Sequence, residues 1–362
     1  MLDVVVIGGG AMGSAAAWRL AARGRPVALL ERFAPGHTRG ASHGASRIFR
    51  LVYSDPGYIA LAQRALPLWR DLEEASGTAV LDITGGVDHG NQAVLAALSE
   101  ALEAAGAPGK WLAAEEAADQ WPGLRFTDRV FFHPSSGRVH ADRSVAALQQ
   151  SAAGLGAEIH HETPVEAITV RGDDHVEVVT AGRTWHARRV VVAVGAWSAK
   201  LLDGLAPLPP LRVTEEQPAH FPARDDAIAW PSFIHHLGDD VYGLATPGEG
   251  VKVGRHGGGP VVDPDARDFA PLGDTARRLR DYVREWVPGV DADRPAPISC
   301  TYTSTPTMDF VLDRVGPVVV AAGFSGHGFK FTPAIGEVLA DLAIDGRPAP
   351  ARFALNGKLS RT

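Results

Sequence analysis

Hydrophobic positions open the chain in an unbroken run, Val4 to Ile7, and a second such run follows at Val27 to Leu30. Between them lie glycines, an Ala-rich segment from Ser14 to Ala22, and Gly24 as a stop. The pattern predicts strand, turn, helix and strand. Apolar runs without polar alternation are strands buried on both faces, so the two are expected to lie parallel in a doubly wound sheet. Helical spacing of Tyr58, Leu61, Ala62, Ala65, Leu68, Trp69 and Leu72 predicts a long helix next. Turn clusters at Thr84-Gly85-Gly86 and Pro134-Ser135-Ser136-Gly137 then bracket two expected helices, Gln92 to Ala105 and Ala114 to Trp121. This segment reads as an excursion into a second domain.

The chain returns with an amphipathic helix near Asp142 to Gly154 and the apolar run Val190 to Val194, closed by Gly195-Ala196-Trp197. From about Val213 to Pro306 the pattern is short strands with Pro and Gly punctuation, including Asp239 to Leu244 and Val251 to Gly254. A run from Val318 to Ala322, a glycine-rich turn and a helical segment from Ala334 to Ile344 restore the α/β alternation. The expected division is a discontinuous α/β domain of residues 1–85, 138–212 and 314–362. Residues 86–137 and 213–313 form the second domain, built on a mixed or antiparallel sheet.

A length of 362 residues suits two domains, and 45% hydrophobic with 21% charged residues is an ordinary globular composition. The net charge of -7, with Lys and Arg scattered, speaks against nucleic acid and for a small-molecule partner. The lone cysteine, Cys300, cannot form an internal disulfide, which points to a reducing compartment such as the cytoplasm. No apolar stretch approaches the roughly 20 residues of a membrane helix.

Chemistry enters with Gly8-Gly9-Gly10-Ala11-Met12-Gly13, a G-x-G-x-x-G directly after a strand and opening a helix. Gly8 permits the tight turn, Gly10 lets the backbone approach a pyrophosphate, and Gly13 allows close packing of helix on strand. The helix start presents N–H groups to phosphates, and Glu31, ending the second strand, can accept hydrogen bonds from ribose hydroxyls. This context fits a dinucleotide and does not by itself separate NAD from FAD. Gly40-Ala41-Ser42-His43-Gly44 matches the G-x-S-x-G of serine hydrolases, but a loop precedes it where a nucleophile elbow needs a strand. No H-x-x-x-H or C-x-x-C spacing supports a metal site, and the pairs His160-His161 and His235-His236 direct their side chains to opposite strand faces.

Four stretches carry a more specific signal. The segment from Pro35 to Arg50, PGHTRGASHGASRIFR, resembles the flavin-covering loop of the monomeric sarcosine oxidase family. Lys252-Val253-Gly254-Arg255-His256 resembles its oxygen-site strand, Cys300-Thr301-Tyr302-Thr303 its covalent flavin attachment, and Ala322 to Phe331 its C-terminal flavin and substrate loop. They occur in family order over nearly the whole chain.

The resemblance implies a Rossmann-type FAD-binding domain, FAD bonded covalently through Cys300, and a monomer. It also implies oxidation of a small secondary amino acid by oxygen. Catalytic positions carried over are Lys252 at the oxygen site, His256, His43 and Tyr302, with Arg47 against the flavin. Arg50, Lys330 and Tyr242 are the expected substrate contacts, two cations on an uncharged flavin face being in need of an anionic partner. The FAD contacts expected from motif and resemblance together are Gly8, Gly10, Ala11, Met12, Gly13, Glu31, Arg32, Ser42, His43, Ser46, Arg47, Val165, Gly195, Trp197, Cys300, Gly326, Gly328, Phe329 and Lys330. Two positions depart from the family pattern: Ala45 stands where an acidic residue is typical, and Arg255 where an aromatic is. Sarcosine, another N-methyl amino acid and a cyclic imino acid such as pipecolate or proline therefore remain open as substrates. So do a dehydrogenase that passes its electrons to a carrier and a flavin-binding subunit of a larger assembly.

Overall fold

The computed structural model describes residues 1–355. Leu2–Ile7 lies parallel between Val27–Leu30 and the second half of the long strand Arg183–Val192. Glu158–His160 continues the parallel array on one side and Val318–Ala322 on the other. Val311–Val315 adds an antiparallel edge, and the hairpin Val165–Gly172 with His175–Thr180 pairs with the first half of Arg183–Val192. Together they form one eight-stranded sheet.

Alternate positions of these strands face different layers, as the pleat requires. Val4, Val6, Val27 and Leu29 pack beneath the helices Ala11–Ala22, Pro56–Ser76, Ala141–Gly154 and Thr332–Ile344. Val5, Ile7, Ala28 and Leu30 meet Val176, Val178 and Trp185 of the hairpin layer, with Leu202. The sheet is doubly covered as its unbroken apolar strands predict, but its second face is covered by the hairpin layer where helices are the usual cover. The first and last long helices approach closely: a Cβ on Gly336 would lie 2.8 Å from the Ala15 backbone.

A second eight-stranded sheet runs in the order Ala296–Pro297, Ala219–Phe221, Gly250–Arg255, Val241–Thr246, Ser232–His236, Gly86–Gly90, Val130–His133 and Lys110–Leu112. All its pairings are antiparallel except that of Ser232–His236 with Gly86–Gly90, so the sheet is mixed. One expectation fails here. The stretch read as strands and punctuation contains a helix, Gly273–Trp286, which buries Leu279, Tyr282 and Val283 against Phe221, Phe233 and Val251. Those apolar residues do have helical spacing, but Arg277, Arg278, Arg280, Asp281, Arg284 and Glu285 dilute the stripe, leaving only one narrow face to bury.

Two small sheets lie between these layers and position charged side chains. Arg47–Phe49 pairs with Gly137–Val139, and Arg212–Glu216 pairs with Cys300–Ser304. Among the described residues no helix is long and apolar enough to cross a membrane.

Candidate active site

The glycine turn is forced by contact distances. Gly8 has φ +102°, and a Cβ there would lie 2.4 Å from the Ala193 carbonyl oxygen; one on Gly13 would lie 1.9 Å from the Gly8 carbonyl oxygen. Neither position can carry a side chain. Gly10 caps the helix Ala11–Ala22 without a side chain of its own, and the Ala11 N–H donates to Ser42 Oγ at 3.0 Å. The Glu31 carboxylate accepts from the Gly9 N–H at 2.6 Å and the Phe33 N–H at 2.9 Å, which ties the end of the second strand to the turn.

These groups line an elongated cavity of about 650 Å³. It runs past Arg32, Val165, Gly195 and Trp197 to Cys300, Tyr302, Gly326, Gly328 and Phe329. A second cavity, of about 560 Å³, adjoins it, and Arg47, Cys300, Tyr302, Gly326 and Phe329 border both. At the junction Tyr302 sits on Gly326, where a Cβ would lie 2.2 Å from the ring. Arg47 organises the covering loop from inside, donating to the carbonyl oxygens of Ser46, Ala41 and His43 at 2.8, 3.0 and 2.7 Å. Its Nη2 also lies 4.0 Å from Cys300 Sγ.

The second cavity collects cations. Lys252 is buried in the strand Gly250–Arg255, and among the described residues its Nζ reaches only the Ser46 carbonyl oxygen, at 3.4 Å. Burial, and then the Arg47 charge, push its pKa down to about 7. Lys330 is also buried and donates to Tyr53 Oη at 2.8 Å and the His327 carbonyl oxygen at 2.7 Å. Burial and the neighbouring Arg50 hold it well below the ordinary lysine range. His256 faces the same space with its ring 5.5 Å from that of Tyr302, and burial, Lys330 and Arg50 all favour its neutral form. Tyr242 and Tyr302, hydrogen-bonded to each other, are both raised by burial and stay protonated.

Arg50 corrects one expectation, for it has an anionic partner within the protein. Its Nη1 donates to Asp88 Oδ1 at 2.9 Å. Asp88 also meets His236 Nε2 at 2.7 Å and His133 Nε2 at 2.6 Å, and His236 Nδ1 lies 3.0 Å from Asp240. Burial opposes ionisation of Asp88, but Arg50 and the two imidazoles overcome it and hold the carboxyl well below its ordinary value. Burial likewise opposes the His236 charge, yet its bonds to Asp240 and Asp88 push it up to about 9.

The profile of the family described as FAD dependent oxidoreductase matches residues 3–342. The chain belongs to that family. A monomeric sarcosine oxidase from Streptomyces avermitilis is 36% identical, the match covering 96% of this chain and 94% of that protein. An N-methyl-L-tryptophan oxidase from Yersinia pestis is 30% identical, with 96% of each chain covered. Among solved structures, that of NikD, described as an unusual amino acid oxidase essential for nikkomycin biosynthesis, superposes with a TM-score of 0.87 at 28% identity. That match covers 98% of this chain and 97% of that one.

In this FAD dependent oxidoreductase the elongated cavity fits its cofactor. It joins the glycine turn and a helix start whose cap residue, Gly10, has no side chain, suited to a pyrophosphate, to an end bordered by Tyr302 and Phe329. Of the expected FAD contacts, Gly13 lies beneath the cavity, packed on Gly8, while Ser46 and Lys330 line the second cavity only. His43 lines neither cavity: its Nε2 is buried without a partner, and burial followed by Arg47 and Lys252 pushes it down to about 4. The Gly40–Gly44 motif forms no elbow, since no helix follows it and Ser42 Oγ serves the Ala11 N–H.

Asp88 and Asp240 were not among the expected site residues, and His236 entered only as one of an adjacent histidine pair. An acid and a histidine in a short strand between glycines, Gly86–Gly90, are the available signal, because charge in a central strand needs a buried partner. Also outside the expected set are His175, Glu177 and His186, whose ligand atoms lie within 4.8 Å of one another on paired strands. They border neither cavity, and Glu177 is held by Arg171.

Proposed function

We propose that this chain oxidises the C–N bond of a small secondary amino acid, N-methyl or cyclic, with oxygen as the acceptor. The products are an imine, which hydrolyses, and hydrogen peroxide. One observation carries the reading: the dinucleotide cavity meets, at Arg47, Cys300 and Tyr302, a second cavity lined by the basic side chains of Arg50, Lys252 and Lys330. The relatives that act on sarcosine and on N-methyl-L-tryptophan agree with it, as does the word monomeric in the first of those names, so the working state is taken as a monomer.

FAD, when bound, accepts the hydride equivalent and passes the electrons to oxygen. The protein's part is position and charge. Arg50 and Lys330 hold the substrate carboxylate, the first through a planar fork and the second as a point charge. His256, neutral, offers a hydrogen bond near the amine, and Tyr242 and Tyr302 keep water from the reacting face. Lys252 supplies positive charge beside oxygen as it is reduced, and Cys300 holds the cofactor covalently. The parallel sheet and its helices act as the FAD domain and the mixed sheet as the substrate domain.

Peroxide release by the purified protein against a panel of N-methyl and cyclic amino acids tests the activity. Amine oxidation without peroxide, but with reduction of a carrier dye, moves the reading to a dehydrogenase. For Cys300, the yellow colour is expected to stay with the acid-precipitated polypeptide, and Cys300→Ser to release it to the supernatant.

A further inference from the structure

We infer that Asp88 is the positioning residue that sets Arg50 for the substrate carboxylate, acting through the guanidinium without touching the substrate. The inference rests on the carboxylate reading above. Asp88 is wholly buried in the strand Gly86–Gly90 and lines neither cavity, whereas Arg50 lines the second. Their contact, 2.9 Å from Arg50 Nη1 to Asp88 Oδ1, is the one hydrogen bond Arg50 makes to an acceptor among the described residues.

A guanidinium carries five N–H groups in a rigid fork. With Nη1 held by Asp88, the Nε and Nη2 donors make no hydrogen bond among the described residues, and two such parallel N–H groups match a carboxylate. Asp88 can serve as an anchor because it cannot follow Arg50 forward. His133 Nε2 holds Oδ2 at 2.6 Å, and His236 Nε2 shares Oδ1 at 2.7 Å. His133 is itself fixed by Ser136 Oγ at 2.5 Å and His236 by Asp240 at 3.0 Å. The carboxylate also offsets positive charge where Arg50 and His236 both meet it. An isolated surface arginine would need to lose rotamer freedom to bind the same ligand; here that ordering is already built into the fold.

The blander role for Asp88 is to satisfy two histidines and join two strands. A double-mutant cycle separates the roles, because a residue acting through Arg50 loses its effect once Arg50 is gone. The probe is acetate, titrated against the flavin absorbance of the oxidised holoprotein. Asp88→Asn is expected to weaken acetate about 10- to 100-fold in the wild-type background and less than about 2-fold in Arg50→Ala. Anaerobic flavin reduction at saturating substrate should change far less than the acetate affinity. Equal losses in both backgrounds overturn the inference. If Asp88→Asn does not accumulate as holoprotein, His133→Asn removes one support from the side away from the cavity. It should weaken acetate about 3- to 10-fold with the same dependence on Arg50, and independence from Arg50 is again fatal. Acetate that leaves the wild-type spectrum unchanged at every concentration removes the carboxylate reading and this inference with it.

Discussion

The two adjoining cavities are built in opposite ways. The dinucleotide end is made by one contiguous turn, Gly8 to Gly13, whose shape follows from missing side chains and backbone contacts. The second cavity is made by side chains from segments far apart in the chain: Arg50, His236, Lys252 and Lys330 meet only through tertiary structure, with Asp88 behind Arg50. A cavity made of backbone tolerates almost no substitution and has little chemistry of its own. One made of paired charges can be changed residue by residue, with graded effects on what it binds.

The largest effect should come from breaking the backbone end. Gly13→Ala places a methyl 1.9 Å from the Gly8 carbonyl oxygen, so the helix must move. Purified protein should hold almost no flavin by absorbance ratio, and stability in urea should fall by about 3 kcal/mol or more. Wild-type flavin content would mean that the turn is not what fixes the helix.

On the other side of the junction, Lys252→Met removes a buried charge while preserving its stem. A unit charge at ~4 Å is worth about 4 kcal/mol at an effective dielectric of ~20, so reoxidation by oxygen should slow at least about 100-fold. Anaerobic reduction should suffer much less; stopped-flow measurement of both half-reactions checks the split. Equal losses would give the lysine a different role.

Next in size is Arg50→Ala, expected to cost about 2 to 5 kcal/mol of carboxylate binding, with Lys330→Met costing less. A simple amine turned over as well as its amino-acid counterpart would overturn the assignment of both cations.

The ionic network behind Arg50 sharpens the contrast through pH. His236 has its folded pKa raised above the ordinary value of about 6.5, to about 9. Its contribution to stability is therefore fully present below about pH 6.5 and is lost as the pH rises through 9. Urea midpoints measured across that window should fall in the wild type and fall less in His236→Asn. The smallest effect belongs to the surface: Arg255→Ala, which breaks the exposed ion pair with Asp239, should cost under about 1 kcal/mol.

The same contrast explains what could be read in advance. The parallel sheet was legible because strands buried on both faces are unbroken apolar runs, and the glycine turn because its spacing is local. Lys252, Arg47 and Lys330 came from resemblance, not from any periodicity. Asp88 offered only its charge in a short strand as a signal: its meaning depends on Arg50, His133 and His236, distant in sequence and joined by folding alone. The helix Gly273–Trp286 was hidden for a related reason, since its one apolar stripe gains its meaning from the sheet it covers.

The packing of Gly336 on Ala15 bears on the order in which the molecule is made. Val318–Ala322 completes the parallel sheet, Gly323 to Phe329 closes the dinucleotide cavity, and Thr332–Ile344 covers the helix that starts at its glycine turn. All three are synthesised long after the turn they complete. Until Thr332–Ile344 has been made, the Ala-rich helix Ala11–Ala22 of the emerging chain lacks part of its cover. The cofactor cavity is complete only once the loop from Gly323 to Phe329 has folded back onto the first turn, so FAD can be fully enclosed only by a chain translated past that loop.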